Sequence, residues 1–78
     1  MELKLFMQVA TSDVLSYPYS PRVHIFVEDE EFGIVSLEGE LLEGDLGETL
    51  SNYVYQGLEE HGEELRAEWN ELLMESGL

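Results

Sequence analysis

Between Leu58 and Leu78 the chain carries seven glutamates, one arginine (Arg66) and no lysine. Glu and Lys three or four residues apart support a helix. Like charges at that spacing oppose it by a few tenths of a kcal/mol each. The segment therefore folds only if its apolar residues find something to pack on. Leu65, Trp69, Leu72 and Leu73 recur at helical spacing, and Leu50, Tyr53, Val54, Gly57 and Leu58 precede them in the same rhythm. Asp45 with Glu48 three residues later has the spacing of a capping box. Gly62, beside His61, weakens a continuous helix by about 1 kcal/mol. The pattern predicts helices over about 46–60 and 62–76, or one bent helix with its break near His61–Gly62.

The layer for that helix to pack on lies upstream. In "ELKLFMQV", Leu3, Leu5, Met7 and Val9 alternate with Glu2, Lys4, Phe6 and Gln8, the period of a half-buried strand over about 2–9. "ATSDVLSYPYSP" reads as a loop, because Pro18 and Pro21 lack a donor N–H and disfavour helix before them. "RVHIFVE" alternates again, with Val23, Ile25 and Val27 on one side, and predicts a strand over about 22–28. After the charged turn "DEE", "FGIVSLEG" is rich in apolar and β-branched residues and predicts a third strand over about 32–38, joined to the second as a hairpin. The expectation is a single α+β domain over residues 1–78, a small three-stranded antiparallel sheet with one bent or two C-terminal helices packed on one face.

A chain of 78 residues buries roughly 60% of its unfolded surface, so its stability is thin. The hydrophobic share of 44% and the aromatic share of 10% nonetheless set it apart from a disordered acidic tail. With no cysteine there is no disulfide framework, thiol nucleophile or Cys-based zinc site. "MELKLFMQVA" is unlike a signal peptide, and no apolar run approaches the ~18 residues of a membrane span, so a soluble, cytoplasmic protein is expected.

Eighteen acids face three bases, a net charge of −15. That excess opposes direct binding to DNA, RNA or an anionic membrane, which rests on Lys and Arg neutralising phosphates, and it favours a basic partner. Adaptation to high internal salt is the alternative source of such acidity. Fifteen of the acids are Glu and only Asp13, Asp29 and Asp45 are Asp, whereas a salt-adapted surface is expected to use more Asp.

Glu60, Glu64, Glu68, Glu71 and Glu75 step by four, four, three and four residues, which makes one ridge on a helix. At ~1.5 Å per residue the ridge runs about 22 Å. Glu28, Asp29, Glu30 and Glu31 form a second cluster at the hairpin tip, and Glu38, Glu40, Glu43 and Asp45 a third. Rows of carboxylates a few ångströms apart imitate a phosphate track and suit the positive groove of a nucleic-acid-binding protein. A plain solvated helix face is the competing reading. Tyr17 and Tyr19, on the Pro-rich "SYPYSP", either anchor an interface or cap the open end of the sheet. Trp69 is expected in the core. His24 and His61 lack HxxxH or HExxH spacing, no EF-hand or phosphate-loop pattern occurs, and the serines have no base at a recognisable spacing. No metal, no cofactor and no catalytic residue is expected.

The order of motifs "SPRVHI", "LLEGDLG" and "LEEHGEELRAEW" resembles a small bacterial family known as domain of unknown function 4160. Its members carry Pro-Pro-His-Phe-His-Val entering a strand, Leu-Glu-Gly-Asp-Leu-Pro after a second strand, and a final helical Glu-Glu-His-Arg-Glu-Glu-Leu-Leu-Glu-x-Trp. Pro21, Val23, His24, His61 and Trp69 match, over a resemblance that spans Tyr19 to Met74. Arg22 stands where the family has its first histidine, and most of the family's basic helix residues are missing. The resemblance implies a strand-rich front and a helical end, and a place in small two-gene arrangements of toxin–antitoxin or accessory type.

Two functions are thus expected side by side. One is an acidic inhibitor, encoded by a phage or mobile element, that fills the basic groove of a CRISPR effector, restriction enzyme or glycosylase. Its contacts would be Glu60, Glu64, Glu68, Glu71, Glu75, the tip Glu28 to Glu31, and Tyr17 and Tyr19. The other is an antitoxin-like or accessory module that holds its partner by a sheet edge or the Tyr/Pro loop. Open sheet edges also leave room for a homodimer.

Overall fold

The computed structural model describes residues 4–77. Residues 2 and 3 of the first expected strand lie outside that range. The chain runs β1 (Leu5–Gln8), α1 (Thr11–Ser16), β2 (Arg22–Val27), β3 (Glu30–Ser36), β4 (Leu41–Gly44) and α2 (Gly47–Glu75). The class is α+β, as the periodicities predict. The sheet has four strands in the order β1-β2-β3-β4, all neighbours antiparallel.

The alternation seen in the sequence decides which face is buried. Val23, Ile25 and Val35 point inward against Val54, Leu58, Leu65 and Trp69 of α2, with Val9, Val14 and Leu46 completing the core. Leu5 and Met7 pack against its margin. Residues of the opposite parity, Phe6, His24 and Phe26, stand on the sheet's other face.

Four expectations need correction. The segment read as a loop contains α1. Pro18 and Pro21 constrain only their immediate predecessors, while Val14, fully buried, gives Thr11–Ser16 a reason to coil. The sheet has a fourth strand, β4. Its residues are all exposed, so no apolar alternation announced it. It pairs with β3 where Gly33 faces Gly44, and a side chain on Gly33 would run into the Glu43 carbonyl at 2.6 Å.

The helix does not break at Gly62. α2 is one helix of 29 residues, about 43 Å long, against a longest molecular dimension of 42 Å. Leu58 and Leu65 dock on the same core from either side of Gly62, and that packing outweighs the ~1 kcal/mol propensity cost. The expected capping box is also absent. The N-cap is Leu46, and Asp45 Oδ1 instead accepts the N–H of Gly47 at 3.1 Å. Gly47, at φ 71°, supplies the left-handed step that turns the chain into the helix.

Candidate protein-binding surface

All five ridge glutamates, Glu60, Glu64, Glu68, Glu71 and Glu75, are exposed on α2, and because the helix is unbroken they form a single row. Among the described residues none is paired with Lys or Arg. His61 lies 4.0 Å from Glu60 and 3.7 Å from Glu64, and Gln56 donates a long bond to Glu60 at 3.4 Å. The ridge does not lie opposite the core as a simple amphipathic picture would have it. At about 100° per residue its stripe is roughly a quarter-turn from the stripe of Val54, Leu58, Leu65 and Trp69. It therefore flanks the sheet. Glu64 and Glu68, with His61 and Leu65, line a groove of about 240 Å³ whose other wall is Leu5, Phe6 and Met7 of β1.

The tip cluster divides. Glu28 and Asp29 are the two central residues of a tight β2–β3 turn, both left-handed at φ 50° and 72°, so the turn is two residues long and not the expected "DEE". Glu30 and Glu31 already belong to β3. Glu28 and Asp29 border a second depression with Lys4, Phe6, Gln8 and Phe26. Phe6, 59% exposed, is shared by both hollows. Strand β1 thus runs between two acidic groups, one on α2 and one at the tip. In the third cluster, Glu38 and Glu40 flank the turn at Gly39, and Glu43 sits on β4.

Glu31 leaves the tip cluster because its carboxylate contacts His24 Nδ1. The other ring nitrogen, Nε2, lies 2.5 Å from Asp13 Oδ2. Burial pushes the His24 pKa down, but the bonds to Glu31 and Asp13 and their charges push it up more, and the net direction is upward. The ring bridges α1 to β3 through its two nitrogens. Its two carboxylates lie on opposite ring nitrogens, so they do not converge on one point, and neither nitrogen is left free for another partner. The sequence places His24 and Asp13 eleven residues apart, with no spacing that announces the pair.

Tyr17 is half-exposed beneath the Arg22 guanidinium, 3.9 Å from its ring centre. Tyr19 is 91% exposed. Neither caps the sheet by burial. Trp69 is fully buried, as expected, and no helix among the described residues is long and apolar enough to cross a membrane.

No family model, curated protein or solved structure matches the chain.

Proposed function

We propose that this protein is an acidic protein-binding inhibitor that occupies the basic, nucleic-acid-binding groove of a partner, in the manner of anti-CRISPR or anti-restriction proteins. The observation that carries this reading is the row of five exposed carboxylates along one side of α2, about 22 Å long and without Lys or Arg counter-charge among the described residues. Exposed like charges at helical spacing oppose the helix that bears them, so stability alone gives no reason for the row. A basic groove would relieve that repulsion on binding and would draw the partner in electrostatically.

The test is affinity capture from host lysate, eluted first with salt and then, in a parallel sample, with DNA or RNA. The expected result is one nucleic-acid-binding protein that both treatments release. Retention of the captured protein through high salt and excess nucleic acid would contradict it.

The exposure of Tyr19 and of the whole of β4 favours a second reading, an antitoxin-like or accessory module of the kind the resembled family suggests. There the partner would sit on the loop or on a sheet edge, and charge on α2 would be incidental.

A further inference from the structure

The open edge of β1 and the helix carboxylates belong to one surface. Strand β1 ends the sheet, and among the described residues no strand lies on its outer side. Its bonds to β2 are made by alternate residues. Glu28 N–H donates to the Lys4 carbonyl, and Phe6 and Gln8 share that parity opposite Phe26 and His24. The backbone N–H and C=O groups of Leu5 and Met7 therefore point outward. Beside that edge is the groove whose far wall is Glu64, Leu65 and Glu68, while Glu28 and Asp29 lie across β1 from it, at the end of β2, along a hollow on the sheet's other face.

We propose that an extended, basic segment of the partner adds to the sheet as a fifth strand along β1, beside the carboxylates of α2. Outward amides of Leu5 and Met7 give the backbone pairing that strand addition needs. Alternate side chains of the incoming strand would point to the two sides of the sheet. One set lies along Leu5, Met7 and Leu65 toward Glu64 and Glu68. The other crosses Phe6 toward Glu28 and Asp29. Lys or Arg suits both ends, since a long basic side chain lays its stem on apolar surface and carries its charge to the carboxylates. Charge decides against a second copy of this chain as the occupant, because pairing β1 with β1 would bring two molecules of charge −15 together at their acidic rims.

The inference rests on the proposed binding of a basic partner and adds where and in what conformation it binds. Its probe is a labelled ten-residue peptide of alternating Val and Arg, compared with the same peptide N-methylated at alternate residues and with an all-Arg peptide. Strand addition predicts slowed hydrogen exchange at the Leu5 and Met7 amides with the Val/Arg peptide. It also predicts at least tenfold weaker binding when the methylated residues are those facing the edge. Equal affinity of the methylated peptide, with no protection at Leu5 and Met7, would overturn the edge site. If Glu64→Gln/Glu68→Gln still weakens that binding, the basic-partner reading survives. If none of the peptides binds, both fall. Protection of the same amides without peptide, rising with protein concentration, would point to the second copy and overturn the proposal.

Discussion

Trp69 donates its indole N–H to the carbonyl oxygen of Pro18 over 3.2 Å, joining positions 51 residues apart in the chain. This bond fixes the far end of α2 to the loop that carries Tyr17 and Tyr19, while the indole ring fills the core. Loop and ridge are thereby held in one arrangement.

Trp69→Phe keeps an aromatic ring and removes the donor. The Pro18 carbonyl loses its partner and a cavity opens, so a loss of about 2 kcal/mol is expected. Thermal or urea unfolding measures it. Hydrogen exchange around Tyr19 should quicken in the same variant.

His24 gives the fold a pH dependence of definite sign. Its folded pKa lies above the ordinary 6.5 because Glu31 and Asp13 outweigh the opposing effect of burial. A raised pKa contributes stability that is complete below about pH 6.5 and is lost as pH rises through the folded value. The urea midpoint should therefore fall from about pH 6 toward alkaline pH, and His24→Gln should flatten that slope while costing about 1–2 kcal/mol at the acid end. A wild-type midpoint that rises over this range would contradict the bridging role.

Gly62 lies inside an intact helix, and a methyl group there would meet nothing within 4 Å. Gly62→Ala is expected to stabilise the protein by about 0.5–1 kcal/mol. Gly57 is the contrasting case, since its added methyl would strike Met7 Cε at 2.7 Å. Met7 Cε is the end of a flexible side chain and can swing aside, so Gly57→Ala should gain less than Gly62→Ala, and circular dichroism melts of the two variants measure the difference.

Glu28 and Asp29 occupy left-handed backbone that Asn and Gly adopt far more easily. Replacing them with Asn-Gly should raise stability by about 1–2 kcal/mol, from both relieved backbone strain and removed charge. If the tip contacts a basic partner, the more stable variant binds more weakly. Paired melting and binding measurements reveal that opposition.

The sequence made the inward faces legible, because burial imposes period two on β2 and period 3.6 on α2, and Val23, Ile25, Val54, Leu58 and Leu65 obey it. It made the ridge legible for the same reason. What it hid depended on long-range contacts. α1 is held by one buried valine, β4 by pairing with β3 rather than by its own apolar residues, and the unbroken helix by a core spanning Gly62. His24 looked idle because its two carboxylates come from other elements. The ridge's position beside β1 follows from how α2 is rotated on the sheet, which residue spacing alone does not state.

Whether the partner binds through the α2 carboxylates is measured by its affinity for Glu64→Lys/Glu68→Lys, set beside Tyr19→Ala, at low and moderate salt. Binding through the carboxylates predicts at least tenfold weaker affinity for the charge-reversed protein, a smaller salt dependence than wild type, and a smaller loss for Tyr19→Ala than for the charge reversal. Wild-type affinity in the charge-reversed protein, with loss in Tyr19→Ala, would contradict the account and leave the ridge a solvated face.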